Sequence, residues 1–424
     1  KYLYKVIVLS TKSLETIDQH KSLLNDQQRD EYKAEVRAVR AMFYYYAMDM
    51  FGRIPILESS AQKTAEIRQS NRSDVFKYIV NELQTVAPLL PNEHSNLQGN
   101  YYGRVTRPVA WFLLAKLALN AEVYTDDNWT DSYRPDGKTI MIDVDGTQKN
   151  AWLTCIHYCN LIASAGYSLE SDYTKNFAVH NENSNENIFT IPLDKMLYLN
   201  EFHYLFRSRH YAHGGAYGGA SENGTCATLH TMAVYGYNTP SPDTRLDMNF
   251  YTGKVEVDGS YVTLDDGKLL EYKPLDVEQN LTASQYIETA GARMKKYEVD
   301  RTAYSDGRMP DNDIVLYRYA DVMLMKAEAK VRNGESGYEE LNAVRNRVGM
   351  PSLPATLDNI LNERLLELVW EGWRRQDMIR FGTYNKPYDI HTPSEADKKG
   401  YTTVFPIPGK VRELNPNLEQ NPGY

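Results

Sequence analysis

Residues Glu31–Pro55 read EYKAEVRAVRAMFYYYAMDMFGRIP, and this stretch decides the fold class. Its apolar residues Val36, Val39, Phe43, Ala47 and Met50 recur at steps of three or four, the period of one helix face. Gly52 and then Pro55 stop that helix in the order helix C-termini favour. Outward from it the signature repeats. Ser73 is the expected N-cap of a helix burying Phe76, Ile79, Leu83 and Val86, with Pro88 and Pro91 closing it. Thr106 and Pro108 open a third helix carrying Ala110, Leu114, Leu117, Ala121 and Tyr124. A fourth runs from Asn150 to Gly166 with Trp152, Ile156, Cys159 and Ala163 inward. Helices return at Ile314–Arg332 (Leu316, Ala320, Met323, Ala327 and Val331 on one stripe), at Tyr338–Val348 before Gly349, and at Asp358–Arg380. Helix pairs spaced by roughly 35–45 residues predict a tetratricopeptide-like scaffold, although no full repeat consensus is present.

Between these blocks the texture changes. From Tyr167 to Met309, Asn, Gly, Asp and Tyr dominate, and Gly253–Tyr261 (GKVEVDGSY) predicts a short hairpin about an Asp-Gly turn. His213–Ala220 (HGGAYGGA) reads as a flexible glycine tract. The expected organisation is therefore mainly α: a helical-pair scaffold over 1–166 and 310–424, extended at its C-terminal tail. It carries a loop-rich insertion with short hairpins over 167–309, all one intertwined unit. Loops held by a rigid scaffold are where binding residues collect.

Composition narrows the function. The 424 residues carry 47 Lys+Arg and 56 Asp+Glu, so 47 − 56 = −9, a balance unsuited to a general nucleic-acid binder. No apolar run of about 18 residues is present to span a membrane. Three cysteines, Cys155, Cys159 and Cys226, are too few for a disulfide framework. Cys155 and Cys159, one helical turn apart, read as small core residues. The 33 tyrosines against 11 phenylalanines suit wet binding surfaces, since tyrosine joins a flat apolar face to a polar tip. The chain opens at Lys1 without Met, in what reads as mid-helix and without a signal-peptide pattern, so an upstream segment is expected.

Seven segments, in order, resemble the SusD/RagB-type outer-membrane nutrient-binding lipoproteins. They are Ala34–Leu57, Gly103–Tyr124, Glu186–Pro192 (ENIFTIP), Leu316–Ala329 (LYRYADVMLMKAEA), Leu341–Gly349 (LNAVRNRVG), Asn362–Gly382 (NERLLELVWEGWRRQDMIRFG) and Phe405–Tyr424 (FPIPGKVRELNPNLEQNPGY). The departure is at the start, where the family carries its lipidated cysteine and part of its first binding loops. The resemblance implies a cell-surface, outer-membrane protein, lipid-anchored upstream of Lys1, that captures glycans or in some members peptides. It implies docking on a SusC-like TonB-dependent transporter, no catalysis, no nucleic acid and no cofactor, with a structural calcium ion left open.

Sugars present C–H faces and hydroxyl edges, which aromatic faces and Asn, Asp, Arg or Gln side chains complement. Four tryptophans, Trp111, Trp152, Trp370 and Trp373, fall in predicted helices and are expected in the core. Trp129, in the polar loop Thr125–Tyr133 (TDDNWTDSY), is the platform candidate, set against a role stapling adjacent turns. The segment Tyr198–Tyr217 supplies Tyr198, Asn200, Tyr204, Arg207, Arg209, Tyr211 and Tyr217 as glycan-binding candidates, against the alternative that its tyrosines pin the loop. Its arginines also suit anionic sugars or peptide carboxylates. Glu363, Glu367, Glu371 and Arg374 step along one face. Such carboxylates suit a glycosidase pair, but charges at helical spacing more often form an ion-pair ladder. His210 and His213 lack a third metal ligand, and Asp143–Gly146 (DVDG) begins like a calcium loop without its later ligands. The rival classes are a helical glycoside hydrolase and a tetratricopeptide-like adaptor holding protein segments in its groove.

Overall fold

The computed structural model describes residues 2–197, 207–278, 288–303 and 310–424. It is mainly α. Helices Tyr2–Gln19, Asp26–Phe51, Arg72–Val86, Arg107–Leu119 and Ala151–Ser164 pack each on the next. The last of these then packs directly on Tyr319–Asn333, which in turn meets Tyr338–Arg347 and Leu357–Leu368. The helical stack thus continues across the intervening insertion. No helix among the described residues is long and apolar enough to cross a membrane.

The helix at Asp26–Phe51 starts at Asn25, whose side chain accepts from Gln28 N–H in a capping box, and ends at Gly52 with φ 69°. Its core face differs from the expected stripe. Ala34, Ala38, Ala41, Tyr45 and Met48 are buried, whereas Val36, Val39, Phe43 and Met50 are half-buried. The helix is wedged between two neighbours, and alanines let their backbones approach where larger side chains would hold them apart. Ser73 is not the N-cap of the next helix. Asn71 takes that position, and Ser73 instead bonds the Asp127 carboxylate through N–H at 2.9 Å and hydroxyl at 2.7 Å. Asn150 caps Ala151–Ser164 by accepting from Leu153 N–H at 2.8 Å. The inward face of that helix is Trp152, Cys155, Cys159 and Ile162, with Ala163 exposed and Ile156 half-buried. Arg107–Leu119 is buried almost all round, as befits a central helix.

Two expected helices are broken. Ile314–Arg318 is a strand, antiparallel to Asn187–Ile191 with a register shift after Val315, and the helix begins only at Tyr319. The run Ile-Val-Leu-Tyr suits a pleated strand, and pairing with the strand that enters the insertion overrides the helical period. Asp358–Arg380 divides into Leu357–Leu368 and Arg374–Arg380, because Trp370 turns left-handed at φ 66° and Gly372 follows at φ 83°. The carbonyls freed at that break are covered by cations. Lys296 Nζ donates to Glu367 O at 3.0 Å and Val369 O at 2.9 Å, and Arg318 Nη2 donates to Glu367 O at 2.6 Å. In the insertion, Gly253–Tyr261 forms the expected hairpin, with Asp258 at φ 51° and Gly259 at φ 77° joining Glu256–Val257 to Ser260–Tyr261. Val255, Val257, Val262, Leu270 and Tyr272 form a small core of their own there. The glycine tract is not loop throughout: Tyr211–Ala216 is a short helix with His213 and Gly214 buried.

The glutamate ladder is tertiary rather than local. Glu367 accepts from Arg318 Nη1 at 2.6 Å and Arg245 Nη1 at 2.8 Å, and also pairs with Arg347. Glu363 pairs with Arg245 at 2.7 Å and Arg345 at 2.6 Å, and Glu371 with Lys296 at 2.5 Å and Arg318 at 2.8 Å. A second buried chain links Lys116, Asp321, Arg364, Asp377, Arg380 and Glu328. Burial by itself would raise these carboxyls, but Arg364 and Lys116 outweigh it at Asp321, and Arg380 and Arg332 at Glu328, holding each at about 2. Such carboxyls take up protons near pH 2 in the folded protein and near pH 4 when unfolded, so their stabilisation is complete above about pH 4 and is lost toward pH 2. Urea unfolding across that range is expected to show it. Glu367→Ala, which strands three guanidinium groups, is expected to cost about 3–5 kcal/mol, whereas breaking the exposed Lys398–Glu395 pair is expected to leave the unfolding midpoint unchanged.

Candidate functional site

Five of the eight sequence-predicted residues are described; Tyr198, Asn200 and Tyr204 lie outside the described residues. Trp129 is half-buried and acts as a staple. A Cβ on Gly52 would come within 2.8 Å of its ring, the Arg72 guanidinium covers it at 4.7 Å, and its neighbours Gly52, Arg72 and Gly400 all belong to the scaffold. Arg209 is 4% exposed, with its guanidinium 5.4 Å from the Tyr217 ring centre. Tyr217 is capped on Arg301 as well, at 4.8 Å, and its hydroxyl lies 3.3 Å from that of Tyr251. Arg207 pairs with Glu222 at 2.7 Å near the surface. Arg209 and Tyr217 therefore brace the loop. The space beside them, about 40 Å³, admits a water and not a sugar. Tyr211 differs. It is 57% exposed at the start of its helix, which His210 caps by accepting from Ala212 N–H, and its ring meets that of His210 edge-on at 5.6 Å.

The histidines are structural in their visible contacts. His210 Nε2 faces Glu288 at 3.2 Å. His213 is buried against the Tyr272 hydroxyl at 2.9 Å, and burial lowers it to about 3. Asp143–Gly146 is the turn of a hairpin joining Met141–Val144 to Thr147–Asn150, and the Asp143 carboxylate accepts from Gly146 N–H at 2.8 Å. No group of three or more metal-binding side chains converges among the described residues. The carboxylates of Glu363, Glu367 and Glu371 face arginine and lysine, and leave no acid-base pair across an open cleft.

The scaffold offers a site the sequence reading passed over. A cavity of about 470 Å³ is walled by Trp111, Tyr158, His157 and Leu114, and rimmed by Gln84, Arg107, Asp143 and Asp145. Trp111 is half-buried rather than core, and with Arg107 it makes the one part of Arg107–Leu119 that is not buried. Gln84 Nε2 donates to Asp143 O at 2.6 Å and the Tyr158 hydroxyl at 3.0 Å, fixing the rim. Arg107 donates to the carbonyls of Ala87 at 2.9 Å and Leu90 at 3.1 Å, closing the preceding helix. Burial, and then the nearby Lys149, lower the His157 imidazole from its ordinary value. Aromatic faces bordered by carboxylate and amide groups are the features that engage sugar faces and edges.

The tyrosine excess has a different use from the expected one. Tyr44, Tyr45, Tyr124, Tyr173, Tyr235, Tyr272 and Tyr317 are buried, and their hydroxyls satisfy partners such as Leu57 N–H at 2.9 Å, Gln376 at 2.9 Å and Asp49 at 2.8 Å. These are core residues with a polar tip.

A helical-repeat scaffold holding one loop-rich insertion, with aromatic-polar surface cavities, defines a mainly α, tetratricopeptide-like class of protein. The chain belongs to the SusD family, whose profile matches residues 144–424, while residues 1–119 match a profile described as "Starch-binding associating with outer membrane". The starch-binding protein SusD of Bacteroides thetaiotaomicron is 25% identical over 437 residues, covering 95% of this chain and 74% of that protein. Among solved structures, a SusD superfamily protein from Parabacteroides distasonis superposes with a TM-score of 0.75 at 18% identity, over 100% of this chain and 84% of that one. Surface glycan-binding protein A from Bacteroides uniformis gives 0.73 at 20%, over 99% and 83%. Both are similar in fold.

Stability separates the staple from the platform. Trp129→Ala opens the space over Gly52 and is expected to cost about 2 kcal/mol in denaturant unfolding. Tyr211→Ala is expected to change stability by less than about 0.5 kcal/mol.

Proposed function

We propose that the protein captures oligosaccharides at the outer face of a Gram-negative outer membrane and passes them, uncleaved, to a SusC-like TonB-dependent transporter. The observation that carries this reading is the match over 95% of the chain to a protein named for binding starch. The exposed Tyr211 ring and the Trp111 cavity support it, since each offers an apolar face beside hydrogen-bonding groups. The pairing of Glu363, Glu367 and Glu371 with buried cations supports the absence of hydrolysis. On this reading residues 167–309 carry the ligand loops, and 1–166 and 310–424 hold them and dock the transporter. Stacking and hydrogen bonding need no cofactor, and a lipid anchor upstream of Lys1 would keep the protein at the surface.

Calorimetric titration against a panel of neutral and acidic glycans, with each mixture assayed for new reducing ends, tests the proposal. Binding without new ends is expected. Tyr211→Ala or Trp111→Ala is expected to weaken affinity about tenfold, as loss of one aromatic contact of about 1.5 kcal/mol would. Release of shorter sugars that Glu367→Gln abolishes would replace capture by hydrolysis.

A further inference from the structure

A second large cavity, of about 450 Å³, opens where the insertion segment Cys226–Thr231 meets the helix Leu357–Leu368 and the turn after it. Its charged wall is one-sided: Arg364, Arg374 and Arg375 line it, and no carboxylate does. Two of these arginines are neutralised behind the wall. Arg364 pairs with Asp321 at 2.7 Å and Asp377 at 2.9 Å, and Arg375 pairs with Asp49 at 2.7 Å. Arg374 is not. Its Nη1 donates to Leu361 O at 2.9 Å and its Nη2 lies 3.5 Å from His230 Nε2, but no carboxylate of the described residues comes within 4.0 Å. A largely buried guanidinium without a counter-ion is costly unless an anion completes it.

The unused hydrogen-bonding capacity has the same sign. Among the residues lining the cavity, Trp370 Nε1, Arg374 Nε, Arg375 Nε and Arg364 Nη2 are buried nitrogens without a hydrogen-bond partner, all donors. Trp370, which lines the cavity, holds φ 66°, a conformation a bulky side chain rarely adopts and one that gathers at ligand sites. Burial lowers the Arg374 guanidinium from its ordinary value, against the Tyr388 hydroxyl and the Asp377 carboxylate, which favour its charge without a carboxylate in contact. The rest of the wall suits a sugar ring: Leu365, Leu368 and the Tyr388 ring are apolar, and the hydroxyls of Thr228 and Thr231 stand beside them, 2.8 Å apart. The volume exceeds what a carboxylate alone would fill and falls within the range of small-molecule pockets.

We infer that this cavity holds a uronate residue of a bound oligosaccharide, its carboxylate taken by Arg374 and the Trp370 indole N–H. The inference rests on the capture reading and names its substrate class: acidic glycans. A guanidinium fork meets a carboxylate through two parallel bonds, and the indole N–H supplies a further donor.

The test titrates the intact protein, at low salt, with an oligogalacturonate, its methyl ester, and a neutral oligosaccharide of equal length. The free acid is expected to bind at least about tenfold more tightly than the ester, as for a hydrogen-bonded charge. Arg374→Gln is expected to erase that difference, and Trp370→Phe, which keeps the ring and removes only the N–H, to reduce it several-fold at unchanged melting temperature. Should Arg374→Gln fail to fold, the acid-ester comparison in the unmodified protein and Trp370→Phe still decide. Equal binding of acid and ester overturns the inference and leaves capture standing. Discrimination that survives both substitutions also overturns it, since the carboxylate then sits elsewhere. A peptide preferred over its C-terminal amide through Arg374, with no preference among the sugars, overturns it in favour of peptides. Binding of no glycan at all removes the capture reading itself.

Discussion

Glu367 is the residue on which the rest of the structure depends. It is fully buried in the helix Leu357–Leu368, and three guanidinium groups converge on it: Arg318, Arg347 and Arg245. Each comes from a different part of the chain. Arg318 ends the strand that leaves the insertion, Arg347 ends a scaffold helix, and Arg245 lies within the insertion itself. Glu186, at the strand that enters the insertion, closes the circuit by pairing with Arg318 at 2.6 Å and Arg347 at 2.9 Å. Burial would push the Glu367 carboxyl up, but Arg347, Arg318 and Arg245 together hold it well below the usual carboxylate range. Removing so many charges from water is expensive, and their mutual attraction roughly offsets that cost. Their contribution is therefore to arrangement more than to net stability. Only one relative placement of scaffold helix, entering strand and insertion leaves no charge unpaired.

The same constraint explains the break after Leu368. With Arg318 and Lys296 drawn to Glu367 and Glu371, their remaining donors reach the carbonyls of Glu367 and Val369. Those carbonyls are then satisfied without the next helical turn. The chain can leave the helix, and Trp370 can take its left-handed conformation without exposing backbone groups to an apolar wall. The tyrosines extend this logic through the core. The hydroxyls of Tyr44, Tyr45, Tyr124, Tyr173 and Tyr235 each meet a backbone or side-chain partner, so polar tips are carried into the core at little cost.

Much of this architecture was legible in the sequence, and the misses have specific causes. The periods at Phe76–Val86 and Ala110–Leu117, the start of a helix at Asn150 and the Asp-Gly hairpin at Asp258 are local signals, and the structure keeps them. The strand at Ile314–Arg318 was read as helix because its partner, Asn187–Ile191, lies more than a hundred residues away, and periodicity carries no information about such pairing. The core face of Asp26–Phe51 was misjudged because hydrophobicity ranks valine above alanine, whereas a helix with neighbours on both sides needs small residues there. The ladder of Glu363, Glu367 and Glu371 was read correctly as structural, but its partners were sought on the same helix. Of the two aromatic residues that support the proposed capture, Tyr211 stands among the sequence candidates. Trp111 could not, since its exposure depends on which side of a nearly all-apolar helix is left uncovered.

These constraints bear on binding through preorganisation. A loop that must order itself when a glycan arrives loses affinity to that ordering, whereas one already braced does not. Arg209 and Arg301 on either side of Tyr217, the small core around Tyr272 and the pairing of Arg245 with Glu363 and Glu367 all hold the insertion before any ligand is present. The network also sharpens the meaning of the exception. Where Arg245, Arg318, Arg345, Arg347, Arg364 and Arg380 each find a buried acid, Arg374 alone of these neighbours, within the described residues, lacks one and borders a cavity. A scaffold this thorough in pairing its charges leaves an unmatched one where a ligand completes the set.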